Sequence, residues 1–111
     1  MTYQEVSNLI DSIGLPCAYD HFTDDTGKEL PFICFIYPES DDFIADNINY
    51  TKIRQLQIEL YTENKDFALE DRIETILAGA GLVYNVNSGY LSDEQMYMTT
   101  YNTEVLINGE S

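Results

Sequence analysis

Apolar residues recur along this chain in two rhythms. Val6, Leu9, Ile10 and Ile13 return at helical spacing and form one stripe. Thr2 and Glu5 ahead of them make a capping box, Gly14 suits the left-handed position after a helix, and Pro16 blocks continuation. The pattern predicts a helix over 3–13. A second stripe, Leu69, Ile73, Ile76, Leu77 and Ala80, predicts a helix over 66–79, with Asn64 or Asp66 as cap and Gly79 and Gly81 at its end.

The strand rhythm is also clear. Leu56, Ile58 and Leu60 alternate with Gln55, Gln57, Glu59 and Tyr61, as in a strand with one buried and one polar face. Ile53 falls on the polar parity, which suggests a bulge or twist near Arg54. Tyr97, Thr99, Tyr101, Thr103, Val105 and Ile107 share one face of a long strand over 96–107, although Ser92 and Gln95 could instead cap a short helix before it. Phe32 to Tyr37 is continuously apolar between Pro31 and Pro38, which predicts a central strand buried on both faces. Residues 17–22 and 82–86 read as shorter strands, and Asp24-Asp25-Thr26-Gly27-Lys28 has the chemistry of a hairpin turn.

These elements predict a single α+β domain: one sheet of about five strands, mainly antiparallel, with two helices on one face. The first three strands are expected to form a meander, and the crossover through the second helix could add a parallel pair. The length of 111 residues suits one domain that buries roughly two-thirds of its unfolded surface. Residues 39–50 have no clear period yet carry Phe43, Ile44 and Ile48 among acids. These either plug an edge of the same subunit or insert into a neighbour.

Charge narrows the function. Twenty acidic and five basic side chains give a net charge of -15. Phosphate backbones and anionic membranes need clustered Lys and Arg, so neither is an expected partner. The acids are spread along the chain, as on a solubilising surface; mimicry of DNA charge, or a wall that must not hold DNA, are the sharper readings. Nine Tyr and five Phe suit half-buried strands and interfaces. Residues 1–5 carry no basic or long apolar run, so no signal peptide is expected, and no window approaches membrane-spanning length. Cys17 and Cys34 form no CxxC motif, and a buried free thiol is expected at Cys34. The Asn49-Tyr50-Thr51 sequon is expected to be accidental.

Catalytic material is scarce. His21 and Cys17 would stand about 13 Å apart on an extended strand, too far for a dyad. One His and two separated Cys are poor zinc ligands. Asp24-Asp25 and Asp41-Asp42 with Asp46 lack EF-hand spacing. Gly79-Ala80-Gly81 ends a helix, whereas phosphates bind where helices begin. No carboxylate pair stands out for glycoside chemistry, and no Trp is present to stack a sugar. No enzyme activity, cofactor or metal is expected.

A more specific pattern runs through Asp42-Phe43-Ile44-Ala45-Asp46-Asn47, Tyr50, Ile58-Glu59-Leu60-Tyr61-Thr62, Lys65-Asp66, Glu70, Ile73-Glu74, Leu77, Glu94, Met96-Tyr97, Tyr101 and Glu104-Val105. With its length and element order, the chain resembles the tail terminator proteins of long-tailed bacteriophages, also labelled tail completion or minor capsid proteins. The resemblance implies a non-enzymatic ring, usually of six subunits, at the head-proximal end of the tail. Such a ring stops tube polymerisation and offers a surface for joining the head. The implied partners are further copies of the chain, the tail tube protein and a head completion protein, with DNA passing through unbound and no membrane involved. The implied location is the virion, after assembly in the host cytoplasm. Phe43, Ile44, Ala45, Asp46, Asn47 and Tyr50 are candidate subunit contacts. Gln55, Gln57, Glu59 and Tyr61 form a candidate exposed strand face. The alternative is an acidic DNA mimic that inhibits a nucleic-acid-binding protein, which would need carboxylates arrayed at phosphate-like spacing.

Overall fold

The computed structural model describes residues 1–21, 29–38 and 51–108. Its elements follow the order α1 (Tyr3–Asp11), β1 (Cys17–Tyr19), β2 (Phe32–Ile36), β3 (Thr51–Thr62), α2 (Phe67–Gly79), β4 (Tyr84–Leu91) and β5 (Met96–Asn108). One five-stranded sheet has the order β1-β2-β3-β5-β4. The fold is α+β, with both helices on one face.

Local chemistry accounts for both helices. In α1 the Glu5 amide donates to Thr2 Oγ1 at 3.0 Å, and the Thr2 amide donates to Glu5 Oε1 at 2.8 Å, so the capping box closes. In α2 Asp66 caps, accepting from the Leu69 amide at 3.0 Å. Gly81, at φ +79°, ends α2 in a Schellman turn: its amide reaches the Ala78 carbonyl and the Leu82 amide reaches the Leu77 carbonyl. That role takes Leu82 out of the strand expected over 82–86. Strand β4 starts at Tyr84 and runs on to Leu91.

The core lies between helices and sheet. Val6 and Ile10 of α1 and Leu69, Ile73 and Leu77 of α2 meet Leu56, Ile58 and Leu60 of β3 and Tyr101, Val105 and Ile107 of β5. Strands β3 and β5 pair residue for residue from Thr51↔Asn108 to Thr62↔Tyr97, with Ile58 opposite Tyr101. Of the bulge or twist allowed near Arg54, this unbroken register leaves no room for the bulge. Ile53 stands 42% exposed on the face away from the helices, opposite Leu106 at 55%.

Two expectations about connectivity fail. The β1–β2 pair is parallel, with Cys17 opposite Ile33, so the two strands are not the arms of a hairpin. The proposed turn at 24–28 lies outside the described residues. The crossover through α2 makes no parallel pair either, because β5 lies between β3 and β4 and runs antiparallel to both. The sheet is therefore mixed, and its parallel pair sits at the β1 edge. Strand β1 stops at Tyr19, short of residue 22. The His21 amide donates to the Tyr19 carbonyl at 2.7 Å across Asp20, whose φ is +69°, a tight γ-turn that ends the strand. Strand β2 is interior but not central: Ile33 and Cys34 are buried while Phe32, Phe35 and Ile36 are half-buried. The long strand expected from residue 96 is present, and the alternative of a short helix capped by Ser92 and Gln95 is not adopted. Residues 92–95 close a β4–β5 hairpin, with Gln95 at φ +56° and its amide on the Leu91 carbonyl.

Candidate functional site

Alternation along β3 sends Gln55, Gln57, Glu59 and Tyr61 to the face opposite the helices. Thr100, Asn102 and Glu104 of β5 flank them on one side, and Phe32, Cys34 and Ile36 of β2 on the other. The four β3 residues are half-buried rather than fully exposed: strands flank Gln57, Glu59 and Tyr61 on both sides and Gln55 on the β5 side.

Side chains on this face are tied to one another. Gln57 Nε2 donates to Glu59 Oε2 at 2.6 Å and the Tyr61 hydroxyl donates to Glu59 Oε1 at 2.8 Å, so both carboxylate oxygens are engaged. Gln55 Nε2 donates to Glu104 Oε2 at 2.9 Å. The Tyr61 ring stacks on Phe32 at 4.9 Å between centroids. Burial, then the hydrogen bond to Glu59 and its charge, push the Tyr61 phenol well above its ordinary range. Cys34, opposite Glu59, is a buried free thiol, raised by burial first and by the Glu59 carboxylate next. Neither the Tyr61 phenol nor the Cys34 thiol is poised to lose a proton near neutrality. Glu59 and Glu104 are the face's carboxylates on β3 and β5, and four residues separate Glu59 from Gln55, the partner of Glu104. That separation is about 13 Å of strand, too sparse for a phosphate-like array.

Basic residues avoid this face. Arg54 Nε donates to the Tyr3 hydroxyl of α1 at 2.9 Å. Lys65 binds Glu70 of α2, and Arg72 lies on α2. Lys52 shares the parity of Arg54 and pairs with the buried Ile107. Among the described residues, every Lys and Arg is on the helix-bearing side.

At one end of the sheet β4 stops short, and the backbone of Met1 pairs with β5 instead. The Met1 amino group donates to the Leu106 carbonyl and the Asn108 amide donates to the Met1 carbonyl, each at 2.9 Å. Between them lies a cleft of about 630 Å³ lined by Gln55, Leu82, Val83, Asn102 and Glu104. Its one carboxylate is already bonded to Gln55.

The candidate contact residues Phe43, Ile44, Ala45, Asp46, Asn47 and Tyr50 lie outside the described residues. Cys17 and His21 do not meet as a pair. Cys17 Sγ donates to Asp11 Oδ1 at 2.9 Å, and the exposed His21 ring lies 3.1 Å from Asp20. Burial and the Asp11 contact push the Cys17 thiol up to about 11. Among the described residues no group of three or more His, Cys, Asp or Glu could hold a metal, and no helix is long and apolar enough to cross a membrane.

One cluster has no counterpart in the sequence reading. Glu70, 8% exposed, points from α2 onto the sheet. Lys65 Nζ lies 2.8 Å from Glu70 Oε2 and also donates to Ser88 Oγ of β4 at 2.8 Å. Thr99 Oγ1 donates to Glu70 Oε2 at 3.4 Å, and the Tyr101 hydroxyl donates to Glu74 Oε2 at 3.0 Å. A Ser–Lys pair can act as nucleophile and base only when the amine is neutral. Here Lys65 is paired with the Glu70 carboxylate as well as with Ser88, and the cluster fastens α2 to β4 and β5. Lys65, Glu70, Glu74 and Tyr101 all belong to the residue pattern described in the sequence, and their contacts give that part of it a folding role. The signal was hidden because Lys65 and Glu70 gain these partners only when β4 and β5 fold beneath α2. Comparison with protein-family models and with curated proteins gives no match.

Proposed function

We propose that this chain is a non-enzymatic structural subunit of a phage virion. It closes into a ring of six on the last ring of the tail tube, stops tube growth, and presents a surface to the head completion protein. The subunit is assembled in the host cytoplasm and ends in the virion, at the head-proximal end of the tail. The residue pattern given above and the α+β fold support this reading, and one observation carries it. The sheet face away from the helices holds amides, hydroxyls and two carboxylates, with Ile53, Leu106 and the half-buried Phe32 and Ile36 among them, while the described cations lie on the other side. A channel wall of that composition leaves DNA free to slide, because each Lys or Arg contact would release counterions and add affinity. In this reading the open face is a candidate lumen wall, and Phe43, Ile44, Ala45, Asp46, Asn47 and Tyr50 remain candidate subunit contacts.

Gln57→Lys with Glu104→Lys, built into assembled particles, tests it. Both side chains lie on the open face, and the variant's melting temperature controls for folding. The expected result is slower DNA ejection and lower infectivity. Unchanged ejection and infectivity would remove the channel wall and leave solubility as the account of the charge.

A further inference from the structure

The sheet has two outer edges, three residues of β1 and eight of β4. An open edge presents N–H and C=O groups that another strand can take, and proteins ordinarily blunt it with Lys, Pro, a bulge or a cover. Strand β4 has none of the first three. Its sequence Tyr84-Asn85-Val86-Asn87-Ser88-Gly89-Tyr90-Leu91 carries no charge and no Pro, and it pairs with β5 in unbroken register. Residues 85–90 are all exposed.

The helix side of this edge is apolar as well. Val86 and Tyr90 flank Ser88 on one face and are 46% and 52% exposed. Phe67, 68% exposed, lies nearby, because Lys65 Nζ is both 5.3 Å from its ring centroid and 2.8 Å from Ser88 Oγ. Tyr90 is held in place by Tyr97, edge to face at 5.0 Å. Exposed aromatic and β-branched side chains beside an edge that no described residue covers mark a site for strand addition.

We propose that a second copy of this chain extends the sheet at β4, antiparallel, about a two-fold axis at Ser88. In that register each Val86 faces Tyr90 of the other copy, giving two β-branched–aromatic pairs on the helix side. Asn87 faces Gly89 on the opposite side. The two apolar residues stand symmetrically about Ser88, so the edge is complementary to itself, as an isologous contact requires. Charge also selects this occupant. A basic partner for a chain of net charge -15 would be drawn to its acids, not to a strand that has none. Two copies repel over most of their surfaces and approach most easily at an uncharged edge, here with Lys65 beside it. A two-fold contact closes on itself, so it is separate from any contact that builds the proposed ring.

Sedimentation of the full chain from micromolar to millimolar concentration, at about 0.15 M salt, tests the pairing. The expected result is a dimer that Val86→Lys weakens at least about tenfold, with little change in melting temperature because the site is exposed. Ser88→Cys supplies a second readout independent of that variant's folding. Under mild oxidation it should yield a dimer joined 88 to 88, distinguished by peptide mass from products of Cys17 or Cys34. A wild-type chain that stays monomeric, a dimer indifferent to Val86→Lys, or no 88–88 product would overturn the proposal. A larger oligomer that Val86→Lys leaves intact would overturn it too, while leaving the ring reading standing.

Discussion

Lys65→Met removes the one cation from the cluster under α2 and leaves Glu70 behind. The Glu70 side chain is 10% exposed and that of Lys65 28% exposed, so the carboxylate suffers more from losing its partner. Breaking a fully buried pair from one side costs about 3–5 kcal/mol. Glu70 keeps Thr99 as a donor and lies at the margin of the core, so the expected cost is about 2–3 kcal/mol. Glu70→Gln leaves the cation instead, which can turn to water, and should cost about 1 kcal/mol. For a chain of this size these correspond to melting shifts of roughly 8–12 °C and 4 °C. Denaturant unfolding of both variants and of the double variant gives the coupling energy directly, which should be about 1 kcal/mol or more. If Glu70→Gln proves more damaging than Lys65→Met, or the coupling vanishes, the cluster does not fasten α2 to the sheet in the way described.

Two further outcomes follow from the thiols and the charge. With its pKa raised from 9.0 to about 11, Cys17 at pH 8 should alkylate roughly 100-fold more slowly than an ordinary thiol, its rate rising about tenfold per pH unit until that value; free-thiol kinetics in an iodoacetamide time course would contradict the burial of this thiol and its Asp11 contact. A six-membered ring would carry a formal charge of about -90, so raising salt should favour higher oligomers as the screening length falls from about 10 to 3 Å. Sedimentation showing the opposite salt trend would mean that charge repulsion does not control assembly.

The sequence reveals this fold where burial repeats with a period. Leu56, Ile58 and Leu60 on β3 and the odd positions of β5 from Thr99 to Ile107 are buried as their alternation requires, and both helix stripes face the core except Ala80, which is exposed just past the end of α2. Pairing direction has no such trace: nothing in the run Phe32 to Tyr37 states that β1 lies parallel beside it. Turn chemistry is similarly ambiguous, since Ser92 and Gln95 suit either a helix cap or a hairpin, and pairing of β4 with β5 decides between them. The polar face was legible as Gln55, Gln57, Glu59 and Tyr61 because their alternation marks it. Its saturation by internal hydrogen bonds was not, because Glu104 and Phe32 arrive from other strands. The uncharged edge was hidden for the same reason: only the strand order makes β4 an outer strand.

Electron microscopy of tail tubes grown from their tube protein, with and without this chain, tests the assembly role most directly. The account predicts arrested growth and a six-fold ring at one end of each tube when the chain is present. Tubes that lengthen unchanged, with the chain left in the supernatant after pelleting, would contradict it.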